Sequence, residues 1–225
     1  VTDRIDRDAA ATQGFVAIVF FQYDWLMPDI HTLHLVRHGQ TVGASKAYVG
    51  DPPLTPLGER QAEFASEELI ARGVTSIMSS PLFRAQQTAL PLVGAIGSSA
   101  RVVPGLREID LGDYPGDEAA GRDRPRVDFG EWGGDHGADF SRNAIGGFEH
   151  VLAEIRGDQH TDIAVIAHGG TINVILDHVA GIPWDGYMRH LLFNCGISTL
   201  EVTADSVSIV TANVVKHLPE DVITN

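Results

Sequence analysis

Apolar and polar positions along this chain follow two rhythms, one of period two and one near 3.6, and the rhythms take turns. "HTLHLVR" (His31 to Arg37) sets Leu33 and Leu35 between polar neighbours before Val36, which predicts a strand. "LTPLGERQAEFASEELIARG" changes the rhythm. Ala62, Ala65 and Leu69 recur at helical spacing, with Arg60, Glu63 and Glu67 on the solvated side. Thr55 can cap that helix. Pro56 suits its first position because the missing N–H would have no intrahelical partner, and Gly73 stands where the helix would stop. "VTSIMSS" (Val74 to Ser80) reads as a second strand. "PLFRAQQTALPLVGAI" reads as a second helix, opened by Pro81 and kinked or ended at Pro91. "ARVVPG" is a short third strand. "IAVIAHGG" (Ile163 to Gly170) is an unbroken apolar run of the kind that forms a central strand covered on both faces. "TINVILDHVAG" predicts a helix ending at Gly181, and "ISTLEVT" and "VSIVTANVV" predict a closing hairpin across "ADS".

Strands alternating with helices predict an α/β domain, a three-layer α/β/α sandwich with a mainly parallel central sheet. In such sheets a ligand binds beyond the carboxyl ends of the strands. The domain is expected over residues 27–225. Within it Pro115 to Gly147 is rich in Gly, Asp and Arg and keeps neither rhythm, so a lid-like insertion is expected at about 115–147. The first residues read differently. "GFVAIVFF" (Gly14 to Phe21) is too short to span a bilayer, which takes about 20 apolar residues. Asp3, Asp6 and Asp8 offset Arg4 and Arg7 ahead of it, and no A-x-A-like site follows, unlike a secretory signal. Residues 1–26 are either an extension upstream of a start near Met27 or an amphipathic arm packed on the domain. Both readings stand on the sequence.

Composition narrows the partners. The chain has 225 residues, enough for one sizeable core, and its 44% hydrophobic and 20% charged residues suit a soluble globular protein. A formal net charge of -14 speaks against nucleic acid or an anionic membrane as partner. It does not speak against a small anion, because a pocket's field is set by its local residues. Cys195 is the single cysteine, so no intrachain disulfide forms, which fits a reducing compartment and a cytoplasmic location.

The candidate chemistry lies where strands stop. "LVRHG" and "VIAHG" end alike, and if both strands are central and parallel, Arg37, His38 and His168 emerge at one edge. The glycine after each histidine lets the backbone turn and can present N–H groups to an anion. Arg84 follows "SSPLF" at a helix N-terminus, itself an anion site. Two arginines, two imidazoles and a helix end make a cationic pocket in an acidic protein. Phosphate is its natural guest, because the arginine fork matches phosphoryl oxygens.

With these residues in place, the chain resembles the histidine phosphatase superfamily, also called the phosphoglycerate mutase-like family. The resemblance rests on Arg37-His38-Gly39-Gln40-Thr41, "PLTPLGERQA" from Pro53, "SSPLFRAQQTA" from Ser79 with Arg84, "LREIDLG" with Glu108, His168-Gly169-Gly170, and "NCGISTLEV" from Asn194. It implies a phosphoglycerate mutase-like fold and a neutral His38 that attacks phosphorus to give a phosphohistidine. Arg37, Arg84 and His168 would hold the phosphoryl oxygens. Glu108 would protonate the leaving oxygen, its pKa raised toward neutrality, with Asp110 and Asp113 as candidate causes. The Thr41 hydroxyl and Gly169 N–H would be secondary phosphate contacts. No metal or other cofactor is implied, and the expected partner is a small phosphorylated substrate; a homodimer is compatible with the sequence. The chain departs from the family pattern at Ala44, where many members carry a phosphate-binding asparagine, and at Pro115–Gly116, which replaces a common Glu-Gly pair. "IDLG" stands where glycolytic mutases usually have "RHYG", which favours a phosphomonoester hydrolase over a mutase-type phosphotransferase. A phosphate-ester-binding protein without turnover is the third reading. The remaining histidines lack ligand spacing. His31 and His34 face opposite ways on a strand, and His136, His150, His160, His178, His190 and His217 read as surface or packing residues. Trp132 and Arg142 are candidate substrate contacts from the lid, and the Asp-rich stretches near Asp110 and Asp123 read as solvated loops.

Overall fold

A computed structural model of the chain describes residues 30–43, 50–116, 127–157 and 162–225. The expected extension over residues 1–26, together with Ala44, Asp123 and His160, lies outside them. One six-stranded sheet organises the molecule, in the order β3-β2-β4-β1-β5-β6. Strand β1 is His31–Arg37, β2 Ser76–Ser79, β3 Arg101–Val102, β4 Asp162–Ala167, β5 Ile197–Val202 and β6 Val207–Val214. The first four run parallel, with β4 flanked by β1 and β2. The closing hairpin pairs antiparallel onto β1, so the sheet is mixed with a parallel centre.

Period-two alternation divides the sheet side chains between two layers. Leu33, Leu35, Met78, Ile163, Val165 and Leu200 point to one face, and Val36, Ile77, Ala164, Ile166 and Ile197 to the other. Helices α1 (Pro56–Ala71) and α2 (Phe83–Ile96) cover the second face through Leu69, Ala85, Ala89 and Leu92. Helices α3 (Gly137–Gly157) and α4 (Gly169–Val179) cover the first through Phe148, Val151, Ile155, Ile172 and Ile175. This is the expected three-layer sandwich. Among the described residues no helix is long and apolar enough to cross a membrane.

Local signals held at α1. The Thr55 side chain accepts from the Gly58 N–H at 3.0 Å, Pro56 opens the helix, and Gly73 leaves it at a φ of +86°. Of the two outcomes expected at Pro91 in α2, a kink or an end, the structure excludes the end. The helix runs on to Ile96 and closes at left-handed Gly97, because Leu92, Val93 and Ile96 pack against the sheet beyond the proline.

The lid-like insertion also needs correction at its C-terminal end. Residues 137–147 are the first half of α3, a 21-residue helix that buries Phe140, Ala144, Phe148, Val151, Leu152 and Ile155 at helical spacing. Gly147 lets this helix meet the 3₁₀ turn Pro104–Leu106. A Cβ at Gly147 would lie 2.6 Å from the Gly105 carbonyl carbon, and one at Gly105 would lie 2.7 Å from the Gly147 Cα. That contact anchors the segment leading directly into Arg107 and Glu108.

Candidate active site

The parallel pairing of β1 with β4 sets Arg37 opposite Ala167, so the two strand ends deliver their histidines side by side. The His38 N–H donates to the Ala167 carbonyl at 3.0 Å, and the His38 and His168 ring centroids lie 5.1 Å apart. Strand β2 ends on the other side of β4, where Ser80 Oγ meets His168 Nε2 at 2.6 Å. The motif residues around His38 are its scaffold. The Gly39 N–H donates to Thr88 of α2, the Gln40 N–H to buried Gln61 of α1, and the Asn194 amide to the His38 carbonyl at 3.0 Å. Three elements thereby hold one loop, which suits a group whose orientation matters.

The His38 tautomer follows from its partners. Nδ1 lies 2.7 Å from the Gly39 carbonyl oxygen, which can only accept, so Nδ1 carries the proton. Nε2 keeps its lone pair and accepts from Arg84 Nε–H at 3.3 Å. Burial, then the Arg37 and Arg84 guanidinium groups, hold the His38 pKa well below the ordinary imidazole value. His168, wholly buried, is depressed in the same direction by burial first and then by neighbouring His38 and the arginines. Both rings are therefore neutral at neutral pH.

A cavity of about 880 Å³ opens beside this cluster. Arg37, His38, Arg84, Glu108 and Gly169 line it, bringing together five of the seven residues singled out from the sequence. His168 packs beside His38, with ring centroids 5.1 Å apart, without itself lining the cavity. Thr41 is the exception. It is buried and bridged to Leu54, its hydroxyl has no hydrogen-bond partner, and it does not line the cavity. Two buried polar atoms of the cluster have no hydrogen-bond partner, Arg37 Nε and His168 Nδ1. Arg37 is otherwise anchored, donating through Nη1 to the Leu192 carbonyl.

Glu108 sits at the N-terminus of α4. Its carboxylate accepts from the Gly170 N–H at 2.8 Å and from the Ile109 N–H at 3.1 Å. Gly170 makes this seat possible, since a Cβ there would fall 2.4 Å from Glu108 Oε1. Burial raises the Glu108 pKa, opposed by those two N–H donors and by Arg84 and Arg37. The expected cause, Asp110 and Asp113, is corrected. Asp110 turns to Arg107 at 2.9 Å and to the Gly112 N–H, and exposed Asp113 has no part in the shift. Trp132 packs among Tyr114 and Phe129 outside the cavity wall, and Arg142 pairs with Asp139 beside an adjoining cavity of about 530 Å³ that Arg107 and Glu108 also line.

Asp51 is the site residue that sequence reasoning missed. It accepts from the Phe83 N–H and pairs with Arg84 Nη1 at 3.1 Å, so the helix N-terminus expected to hold an anion already holds a carboxylate. Nothing periodic marks "GDPPLT", and only the fold carries Asp51 to α2. Among the described residues no group of three His, Cys, Asp or Glu side chains converges as a metal site.

Comparison with known proteins agrees with this geometry. Residues 33–215 match the family described as the histidine phosphatase superfamily (branch 1). A Yersinia enterocolitica protein provisionally named phosphoglycerate mutase GpmB is 30% identical over 182 residues, 74% of this chain and 83% of its own. A Hydrogenobacter thermophilus protein provisionally named phosphoserine phosphatase 2 is 29% identical over 196 residues, 82% of this chain and 96% of its own. Among solved structures, a mycobacterial glucosyl-3-phosphoglycerate phosphatase in complex with VO3 superposes with a TM-score of 0.70 at 25% identity. It covers 82% of this chain and all of its own.

Proposed function

As the chain belongs to the histidine phosphatase superfamily, we propose that it is a phosphomonoester hydrolase whose nucleophile is His38 Nε2. The observation carrying this reading is the pair of unpartnered buried atoms, Arg37 Nε and His168 Nδ1, beside a neutral imidazole with its lone pair toward a cavity. A phosphoryl group gives those atoms acceptors and the lone pair an electrophile.

In the first step the Nε2 lone pair forms a bond to phosphorus while the phosphorus–oxygen ester bond breaks. Arg84 Nε–H, released from Nε2, turns to a phosphoryl oxygen beside Arg37 and His168. Glu108, whose pKa burial raises, gives a proton to the departing alkoxide when it carries one. In the second step Glu108, now ionised, takes a proton from water as that water attacks phosphorus. The N–P bond breaks, and inorganic phosphate leaves. The Gly169 N–H, at the first position of α4, is a further phosphate contact in this reading.

The test is rapid quench with a radiolabelled aryl phosphate. The parent protein is expected to yield a labelled adduct that survives alkali and is lost in acid, and His38→Ala to give neither adduct nor phosphate release. Turnover surviving in His38→Ala refutes the reading. A mutase-type phosphotransferase has a specific observation behind it, the name of the Yersinia relative. Isomer exchange on phosphoglycerate outpacing phosphate release would establish it instead.

A further inference from the structure

Beyond the phosphoryl end, the cavity is built for an apolar body. Ile109, Leu111, Phe129, Met188, Leu191 and Leu192 line it, with Tyr187 among them. This wall is backed and braced. Ile109 and Phe129 belong to an apolar cluster with Val127, Phe140 and Val174, and Tyr114 packs edge-on against Phe129 at 4.8 Å between ring centroids. The Val127 N–H donates to the Gly186 carbonyl at 2.7 Å, tying one side of the wall to the other. The 187–192 side is pinned to α4. The Asn173 side chain accepts from the His190 N–H and donates to the His190 carbonyl, and fully buried Asp177 binds Arg189 at 2.7 Å and His190 at 3.3 Å. Met188 and Leu191 nevertheless stand 51% and 63% exposed, outside every apolar cluster of the described residues.

Among the described residues, the arginines around this wall are already matched. Besides Arg37 and Arg84, the described residues contribute two arginines to the cavity, Arg107 and Arg189. Arg107 lies between Asp110 at 2.9 Å and Asp135 at 3.7 Å, and Arg189 between Asp177 and Asp185. A second anionic group on a substrate would meet guanidinium groups flanked by carboxylates and would have to displace one of them.

We propose that the substrates of this site are phosphomonoesters with a single anionic group, whose alcohol part is uncharged and apolar, aliphatic or aromatic, and lies against Ile109, Phe129, Met188 and Leu191. The proposal rests on the phosphatase reading above for its turnover and on the cavity alone for its binding. Each methylene laid against the wall gains affinity by burial, about two- to fourfold per group. Phosphoglycerate and phosphoserine gain nothing there, because their carboxylates meet matched charge.

The test has two arms. Calorimetry with methyl-, butyl- and hexylphosphonate measures binding without turnover, and phosphate release from the matching alkyl phosphates, 3-phosphoglycerate and phosphoserine measures selectivity. Affinity and kcat/KM are expected to rise along the alkyl series, and hexyl phosphate to exceed both carboxylated esters by about tenfold or more. Met188→Asp and Leu191→Asp are expected to flatten the series. Affinity that is flat or falls with chain length, or faster release from 3-phosphoglycerate or phosphoserine, overturns the proposal. Tightening affinity with no phosphate released from any ester keeps the apolar subsite and removes the phosphatase reading instead.

Discussion

Gly170→Ala separates the chemistry of Glu108 from the stability of the fold. The added Cβ would lie 2.4 Å from Glu108 Oε1, 3.1 Å from Cδ and 3.3 Å from Oε2, so the carboxyl must leave its seat. Gly170 has no positive φ, and the backbone accepts alanine without strain. Alanine in the first turn of α4 favours the helix by up to about 1 kcal/mol over glycine. Loss of the Gly170 N–H bond to the carboxylate costs about the same, because the side chain is partly exposed and can turn to water. The net change in stability is expected within about 1 kcal/mol, a Tm shift under about 4 °C for a domain of this size. Turnover of an alkyl phosphate, whose leaving oxygen needs a proton, is expected to fall about 10²- to 10⁴-fold. Turnover of 4-nitrophenyl phosphate, whose leaving group departs without one, should fall less than about tenfold. Gly94→Ala, in α2 where an added Cβ meets nothing within 4 Å, is the control. The assay is phosphate release on both esters beside a thermal melt. Equal loss on the two esters, or an unimpaired alkyl phosphatase in Gly170→Ala, would refute the assignment of Glu108 as proton donor.

Stability should depend on pH through buried imidazoles. Burial holds His34 at about 4, and His38 and His168 are displaced in the same direction. The unfolded chain binds protons near pH 6.5 that the folded one refuses, so stability is full above that value and falls toward pH 4, by up to about 1.4 kcal/mol per pH unit for each histidine. Urea titrations across the window should show the decline, and His34→Gln should lessen it; stability rising as pH falls would contradict the burial argument. Asp51→Asn removes a carboxylate that competes with phosphate for Arg84. Inhibition by inorganic phosphate should tighten about two- to fivefold, while thermal stability drops through loss of charge at the α2 N-terminus. Unchanged or weaker inhibition would show that Asp51 does not oppose the anion.

Local patterning determined a great deal here. The alternation in "HTLHLVR", the apolar run before His168 and the capped segment after Thr55 each state their own element. In each case neighbouring residues supply the hydrogen bond or burial that decides it. The motifs around His38, Arg84, Glu108 and His168 marked the candidate site, through their place at strand ends and helix starts and through the resemblance to a known family. α3 was equally present in the spacing of Phe140, Ala144, Phe148, Val151 and Ile155, but glycines at 137, 146, 147 and 157 lower the local helix preference and conceal it. Packing against the 3₁₀ turn at Gly105 is what makes a glycine favourable there.

Only the tertiary structure could decide the rest. Whether Pro91 stops a helix depends on what Leu92 and Ile96 bury beyond it, and those partners lie on β1, β2 and β4. What raises Glu108 depends on burial against α4 rather than on the aspartates beside it in sequence. Asp51 joins Arg84 across 33 residues of chain, and the apolar wall assembles side chains from positions 109 to 191. The physical reason is common to all of these. Secondary structure and residue chemistry are set by neighbours within a turn or a few strand positions, while pKa, charge pairing and pocket shape are set by groups that meet only when the sheet brings distant segments together.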